Sequence, residues 1–110
     1  MSNGVKLSVV IPARNEERRI EKTLQDVDTY LQKQNYGYEI IVVDGNSNDR
    51  TVEIVEKLAA TLVPHLRVIV EKQNHGKGGA VKRGVLESVG DYVMFMDADN
   101  ATPISEIEKF

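Results

Sequence analysis

The sequence contains no cysteine and no tryptophan, and aromatic residues make up only 5% of its 110 residues. The absence of cysteine excludes a disulfide framework, a thiolate zinc site and a cysteine nucleophile, and it leaves the redox compartment undetermined. The charges are nearly balanced, with 14 Lys plus Arg against 17 Asp plus Glu and a net charge of −3. A nucleic-acid-binding domain usually shows a clustered basic face with aromatic rings for stacking. We therefore expect no nucleic-acid partner.

Long apolar runs are also absent. The apolar stretch before Pro12 has only about six residues, which is too short for a signal-peptide core or a membrane-spanning helix. Apolar residues nevertheless make up 41% of the chain. A domain of this size buries roughly 60–70% of the surface that its unfolded chain exposes. One soluble folded domain is expected, with the cytoplasm as its default location.

Alternating strands and helices are predicted along the chain. Continuous runs of Val and Ile predict strands buried on both faces at Leu7–Ile11, Tyr38–Val43, Leu66–Val70 and Tyr92–Met96. Apolar residues at helical spacing predict amphipathic helices over Glu16–Leu31 (Ile20, Leu24, Val27, Leu31) and Val52–Leu62 (Val52, Val55, Ala59, Leu62). Asn48 or Asp49 is expected to cap the second helix, and a third follows a glycine-rich entry. The order β-α-β-α-β-α-β predicts an α/β fold with a mostly parallel sheet.

The sequence after the fourth predicted strand points to a fourth helix. Thr102 suits an N-cap and Pro103 suits the first helical position. The chain ends at Phe110, about two turns later, without a cap or a polar tail. We therefore expect the domain to be truncated after the fourth strand.

Unusual polar residues follow each predicted strand. In an open parallel sheet, ligands bind beyond the carboxyl ends of the strands. The four segments at these ends are Pro12-Ala13-Arg14-Asn15-Glu16, Asp44-Gly45-Asn46-Ser47-Asn48-Asp49, Glu71 to Gly79, and Asp97-Ala98-Asp99. One crevice is expected to hold them all.

Asp97 and Asp99 form the sharpest motif. Residues two apart in an extended chain project to the same side, so the two carboxylates repel each other unless a cation lies between them. Hard oxygen ligands suit Mg²⁺ or Mn²⁺. The alternative is that these residues only form a turn and cap the next helix.

Asp44 directly follows the second predicted strand. A carboxylate at this position either accepts hydrogen bonds from a base or ribose, or forms an Asx turn before the second helix. Asp49 and Thr51, in contrast, are interpreted as capping residues.

The stretch Gly76-Lys77-Gly78-Gly79 precedes the third predicted helix. Its backbone N–H groups and the Lys77 ammonium suit a phosphate, and Lys82 and Arg83 either add charge to the same site or form a solvated face. Gly78 after the lysine departs from the Walker A pattern, and Val81 departs from GxGxxG. A flexible loop with a helix-packing glycine is the alternative.

Taken together, the motifs resemble the nucleotide-binding half of family 2 glycosyltransferases with the GT-A fold. The matching segments are VVIPARNEERRI, VVDGNSNDRT, NHGKGGAVKRG and YVMFMDADNATP. The glycine-rich stretch and the segment from Asp97 onward look most like the dolichyl-phosphate glucosyltransferase branch, with dolichyl-phosphate mannosyltransferases as the near alternative. The resemblance covers the whole chain but only the first half of the family's catalytic domain.

The resemblance implies inverting transfer of a hexose from a nucleotide diphosphate sugar, UDP-glucose-like or GDP-mannose, to a polyprenyl phosphate at the cytoplasmic face of a membrane. It implies a Mg²⁺ or Mn²⁺ cofactor. Carried over by position, the residues that line the nucleoside pocket are Pro12, Ala13, Asn15 and Glu16, and Asp44 contacts the base. Lys77 lies near the diphosphate or sugar. Asp97 reaches the ribose or the metal, and Asp99 binds the metal.

Two departures from the family pattern stand out. Where many relatives have DDGS, this chain has Asp44-Gly45-Asn46-Ser47 and so lacks the second acid, and Asn100 follows the paired carboxylates, where relatives often have an apolar residue. Residues 1–110 are expected to be the nucleotide-sugar-binding half of the domain, which binds the donor, transfers no sugar alone and self-associates. Membrane contact is expected through the missing half. A non-catalytic Mg²⁺-binding nucleotide or regulatory module is the alternative from another class, and the absent GxGxxG disfavours a dinucleotide oxidoreductase.

Overall fold

A computed structural model of the chain describes residues 4–73 and 76–98, with the backbone alone for Lys77. The elements, in chain order, are β1 (Leu7–Ala13), α1 (Ile20–Gln32), β2 (Tyr38–Asp44), α2 (Thr51–Thr61), β3 (Leu66–Val70), α3 (Gly76–Glu87) and β4 (Tyr92–Phe95). The four strands form one parallel sheet in the order β3-β2-β1-β4. The predicted α/β fold is therefore confirmed, including the alternation of its elements. The helix predicted after Thr102 lies outside the described residues.

The core lies on both faces of β1 and β2, because these central strands present apolar side chains alternately to each face. On one face, β-strand residues such as Val9 and Ile40 pack against α1 and α2. On the other, Val10, Ile41 and Val43 pack against Ala80 of α3. Each fully buried Val or Ile side chain stabilises the fold by about 1.5–3 kcal/mol through its burial.

The two outer strands differ from the prediction of burial on both faces. In β4, Tyr92 is 64% exposed and Phe95 is 46% exposed, and Val70 at the end of β3 is 38% exposed. The strand order explains the difference, since β3 and β4 lie at the edges of the described sheet. Exposed edge strands and apolar side chains are prone to pair with other chains, and the expected self-association stays a prediction.

Helix α1 begins four residues later than the predicted start at Glu16. Asn15 adopts the left-handed region with φ of 54°, which breaks the helical path. The carbonyl of Glu16 then accepts hydrogen bonds from the N–H groups of Arg19 (3.0 Å) and Ile20 (2.9 Å). The predicted apolar stripe of α1 is confirmed, because Ile20, Leu24, Val27 and Leu31 are all buried.

The predicted boundaries and faces of α2 and α3 need correction. In α2, Val55 is buried as predicted, but the other buried residues are Thr51 and Leu58, and Leu62 follows the helix with 62% exposure. The stretch Gly76–Gly79 forms the first turn of α3 instead of preceding it. None of the helices in the described part of the chain is long and apolar enough to cross a membrane.

The packing of α3 onto β1 depends on a glycine. A Cβ atom added to Gly84 would overlap the side chain of Val10. The helix-packing glycine is thus Gly84, and not Gly76 or Gly78 of the stretch in which it was predicted, where an added Cβ atom would meet nothing within 4 Å.

Candidate functional site

The carboxyl ends of the three neighbouring strands β1, β2 and β3 are tied together by backbone hydrogen bonds. Ala13 is the register partner of Asp44. The N–H of Gly45 donates to the carbonyl of Ala13 at 2.8 Å, and the N–H of Glu71 donates to the carbonyl of Asp44 at 2.8 Å. The polar segments that follow these strands therefore leave the sheet side by side, as the sequence predicted.

Asp44 has no exposed surface and forms a turn with Ser47. One carboxylate oxygen accepts the N–H of Ser47 at 2.8 Å, and the other accepts the Ser47 hydroxyl at 2.5 Å. This is the Asx-turn arrangement that the sequence left open as one of two roles. Each oxygen has a further lone pair, but a ligand reaches this buried carboxylate only if the loop gives way. Contact between Asp44 and a base stays a prediction.

The loops after β1 and β2 hold each other through Asn15. The N–H of Asn15 donates to the Ser47 hydroxyl oxygen at 2.8 Å, while its side-chain oxygen accepts the N–H of Asn48 at 2.8 Å. Asn is one of the few residues that adopts a positive φ at modest cost. The backbone turn at Asn15 and its side chain thus fix one loop against the other.

A second set of hydrogen bonds joins the same two loops through Asp49 and Thr51. The N–H of Glu16 donates to the Thr51 hydroxyl oxygen at 2.9 Å, and the N–H of Glu17 donates to the Asp49 carboxylate at 3.2 Å. Asp49 also accepts the N–H of Thr51 at 3.0 Å. Burial alone would raise the pKa of Asp49, but hydrogen bonds from Thr51 and Glu17 outweigh it and lower the pKa below its usual value.

The capping prediction for α2 is accordingly refined. Arg50 occupies the N-cap position without a side-chain cap hydrogen bond. The carboxylate of Asp49, one residue earlier, supplies the acceptor for the first turn instead. Helix boundaries commonly shift by one or two residues between definitions, and the physical role of Asp49 is that of a capping group.

Asp97 lies exposed between two buried neighbours, just beyond β4. Met96 is 6% exposed and Ala98 is 3% exposed. The N–H of Met96 donates to the carbonyl of Val10 in β1 at 3.1 Å, and the Ala98 carbonyl accepts the hydroxyl of Thr23 in α1 at 2.7 Å. The segment of Asp97 is therefore held at the same end of the sheet as the two joined loops.

Asp97 and Asp99 are the predicted metal ligands. Asp97 presents a hard oxygen donor at the exposed edge, which suits Mg²⁺ or Mn²⁺, whereas Asp99 lies outside the described residues. Among the residues that are described, no three His, Asp or Glu side chains come together as a metal site. The donor type fits a divalent cation, and ligation by Asp97 and Asp99 stays a prediction.

The remaining predicted residues lie along the same edge. Pro12 is half-buried and Ala13 is buried at the end of β1. The backbone of Lys77 lies in the first turn of α3. Nearby, a cavity of about 390 Å³ is lined by Glu71, Gly79, Lys82, Arg83 and Leu86.

Arg83 is less available to a phosphate than the sequence suggested. Its guanidinium lies 3.6 Å from the carboxylate of Glu71 and 3.3 Å from that of Glu87. These carboxylates compensate its charge. Lys82, the other α3 cation considered with Lys77, is exposed and forms no ion pair among the described residues.

Thr23 was missed by the sequence reasoning. The signal for it was a polar residue at a stripe position of α1, next to Leu24 and three residues after Ile20, where an apolar residue is expected. Nothing in the sequence indicates that its partner is Ala98, 75 residues further along the chain.

A parallel α/β sheet with loops rich in amide, hydroxyl and carboxylate groups beyond its carboxyl edge defines an open α/β domain of the class that binds its ligands at that edge. The chain belongs to glycosyl transferase family 2, whose family model matches residues 8–110. It is 38% identical over 116 residues to the dolichyl-phosphate beta-glucosyltransferase of Dictyostelium discoideum. The alignment covers 97% of this chain and 35% of that protein. The chain thus spans about a third of the length of the curated relatives it matches.

Solved structures show the same fold. The mannosyltransferase PcManGT from Pyrobaculum calidifontis, in complex with GDP-Man and Mn²⁺, is 30% identical with a TM-score of 0.74, over 86% of this chain and 27% of that chain. Glucosyl-3-phosphoglycerate synthase from Mycobacterium tuberculosis, in complex with Mn²⁺, UDP and glucosyl-3-phosphoglycerate, is 31% identical with a TM-score of 0.69, over 86% of this chain and 34% of that chain. The predicted family and the GT-A fold are confirmed.

Proposed function

We propose that this chain forms the nucleotide-sugar-binding part of a glycosyltransferase that transfers a hexose, from a UDP-glucose-like donor, to dolichyl phosphate or another polyprenyl phosphate. The observation that carries the proposal is the meeting of the two joined loops and the exposed Asp97 at one edge of the sheet. The family match and the name of the relative, dolichyl-phosphate beta-glucosyltransferase, supply the reaction and the acceptor.

The donor would bind across this edge. The nucleoside pocket is assigned to the β1 end and its loop, with the base near the loop after β2 and the diphosphate toward the first turn of α3. The residues assigned to donor binding are Pro12, Ala13, Asn15, Glu16, Asp44, Lys77 and Asp97. The hydrogen bonds between the loops support this assignment, because they bring residues of both loops together at this edge of the sheet.

Asp97 and Asp99 would hold a Mg²⁺ or Mn²⁺ ion. Such an ion stabilises the negative charge that develops on a leaving nucleoside diphosphate. Support comes from the exposed carboxylate of Asp97 and from two similar structures whose complexes contain Mn²⁺.

The proposed acceptor fits the chemistry of the site. A phosphate monoester with a second pKa near 6 is largely ionised at neutral pH, so it attacks the anomeric carbon without a strong general base. Because the acceptor is a lipid, the reaction is proposed to take place at the cytoplasmic face of a membrane.

A second candidate donor is GDP-mannose. It is favoured by the likeness to the structure whose complex contains GDP-Man. The two donors differ in the base, so nucleotide affinity separates them.

Calorimetric titration tests the proposal with UDP, GDP and NAD, each with and without Mn²⁺. We expect UDP to bind more tightly with Mn²⁺, and Asp99→Asn to weaken the Mn²⁺-dependent binding by about 1–3 kcal/mol, since it removes a charged partner. Asp91→Asn is the matched control, because Asp91 is an exposed acid before the opposite end of β4.

Each other outcome contradicts a stated part of the proposal. Unchanged affinity in Asp99→Asn refutes its metal role, and tighter binding of GDP refutes the glucose donor in favour of mannose. Binding of Mn²⁺ with no affinity for any of the three nucleotides indicates a non-catalytic metal-binding module. Preference for NAD refutes the glycosyltransferase proposal.

A further inference from the structure

Thr23 in α1 makes a long-range hydrogen bond to the segment that carries the paired carboxylates. Its side chain is 1% exposed, and its hydroxyl donates to the carbonyl of Ala98 at 2.7 Å. A threonine hydroxyl inside a helix commonly bonds the carbonyl one turn earlier in its own helix. Here the hydroxyl bonds a carbonyl in a different element, 75 residues away.

This hydrogen bond is one of two that hold the backbone on either side of Asp97. On the N-terminal side, the N–H of Met96 is bonded to the carbonyl of Val10 at 3.1 Å. On the C-terminal side, the Ala98 carbonyl is bonded by Thr23. The side chains of Met96 and Ala98 are buried in the core beside α1, whereas Asp97 is exposed. The backbone on both sides of Asp97 is thus fixed, and the residue itself faces the solvent edge.

The two anchors differ in kind. The bond from Met96 to Val10 continues the ladder between β4 and β1, so any sequence that forms the sheet makes it. The bond from Thr23 depends on one side-chain hydroxyl, so a single substitution removes it. It also connects Ala98 to α1, which follows the loop that is bonded to α2 through Glu16 and Thr51.

We propose that Thr23 is a positioning residue, whose hydroxyl fixes the backbone at Asp97 and Ala98 in the conformation that binds a divalent cation. This inference rests on the proposed function in one respect, namely that the paired carboxylates bind the cation. Without the hydroxyl, binding must order this backbone at a cost, so affinity for the cation falls.

The test compares variants of the full chain that differ in this hydroxyl. Thr23→Val keeps the shape of the side chain and removes the hydroxyl, whereas Thr23→Ser keeps the hydroxyl. Thr61→Val is the matched control, because the Thr61 hydroxyl also donates to a backbone carbonyl, that of Lys57 at 2.7 Å, but on the exposed surface of α2. Binding of Mn²⁺ alone is followed by the electron paramagnetic resonance signal of the free ion.

We expect Thr23→Val to raise the Mn²⁺ dissociation constant by roughly three- to tenfold, the range set by the loss of one hydrogen bond. Thr23→Ser and Thr61→Val should stay within about twofold of the wild type. Hydrogen exchange gives an independent readout: amides 96–98 should exchange faster in Thr23→Val and not in Thr61→Val. Binding of UDP without metal should stay unchanged, which a general loss of structure would not allow.

If Thr23→Val fails to fold, Thr23→Ser and Thr23→Ala replace the comparison, since they differ in the hydroxyl alone. Wild-type Mn²⁺ affinity in a variant without the hydroxyl overturns the role of Thr23 and leaves the proposed function intact. Failure of the wild type itself to bind Mn²⁺ overturns both. If Asp99→Asn loses Mn²⁺ binding while the variants without the Thr23 hydroxyl keep it, only the positioning role is overturned.

Discussion

Replacing Asp44 by alanine separates its two possible roles, a turn-forming group and a contact for the nucleotide base. The substitution removes two hydrogen bonds that Ser47 donates to the carboxylate, at 2.8 and 2.5 Å. At about 1.5 kcal/mol for each bond to a charged acceptor, the free energy of unfolding should fall by roughly 3 kcal/mol. A domain with a typical stability of about 5–15 kcal/mol tolerates this loss and remains mostly folded.

Ser47→Ala is a control of nearly matched stability. It removes the hydroxyl bond to Asp44 and the acceptor for the N–H of Asn15. One bond to a charged group and one neutral bond together contribute roughly 2–3 kcal/mol. The two variants should therefore lose similar stability in urea denaturation, but only Ser47→Ala keeps the carboxylate.

Binding distinguishes the roles. If Asp44 accepts a hydrogen bond from the base, Asp44→Ala should weaken UDP binding about tenfold more than Ser47→Ala does, as expected for one further bond to a charged group. Inorganic pyrophosphate, which has no base, should bind both variants as it binds the wild type. Calorimetry measures both ligands. Equal losses of UDP affinity in the two variants, or equal losses of UDP and pyrophosphate in Asp44→Ala, would show that Asp44 only shapes the loop.

Two further predictions concern stability. Gly90→Ala should lower the free energy of unfolding by about 1–3 kcal/mol in urea denaturation, because the new Cβ would lie 2.7 Å from the Ser8 hydroxyl oxygen and 2.8 Å from its backbone nitrogen. Gly78→Ala, whose Cβ meets nothing within 4 Å, is the control, and equal effects of the two would contradict the packing argument. Asp49→Ala should cost about 1 kcal/mol at neutral pH, because it removes the cap of α2. Since folding lowers the pKa of Asp49, ionisation of its carboxyl group favours the folded state. The difference in unfolding free energy between Asp49→Ala and the wild type should therefore be present above the ordinary pKa of about 3.9. It should vanish as the pH falls through the lower pKa of the folded state. A difference that stays constant down to pH 2 would contradict this linkage.

The central elements were predictable from the sequence because burial leaves a local pattern. The stripe of Ile20, Leu24, Val27 and Leu31 and the continuous apolar run of β2 both follow from the faces that these elements bury. The start of α1 was not predictable in this way. The positive φ of Asn15 precedes a loop whose partners lie far along the chain, such as the Thr51 hydroxyl that accepts the N–H of Glu16 from 35 residues away. A local pattern carries no information about such a partner.

The candidate site was predictable to the same degree. Parallel strands place their carboxyl ends at one edge, so polar residues after β1, β2 and β4 had to meet there. Which of these groups bond one another was not predictable, because Asn15 depends on Ser47 and Asn48 across two loops. Edge position also decided burial: the run Tyr92–Phe95 is as apolar as the central strands, yet its place at the end of the strand order leaves it partly exposed.

Two buried carboxylates, Glu39 and Asp44, lie at opposite ends of the sheet and are held by different kinds of partner. Near the amino end, Glu39 accepts the Ser8 hydroxyl at 2.6 Å, the N–H of Val89 at 2.8 Å and the guanidinium of Arg67 at 3.3 Å. These donors come from three separate parts of the fold, so freeing Glu39 requires several elements to move together. The described donors to Asp44 both belong to Ser47, three residues away in one loop. A rearrangement of that loop frees the carboxylate and breaks the hydrogen bond that Asn15 donates to Ser47, and a ligand that supplies replacement donors offsets the lost bonds. The donors to Glu39 at the amino end thus tie separate parts of the fold together, whereas the donors to Asp44 come from one loop residue and are those that the proposed contact with a base would replace.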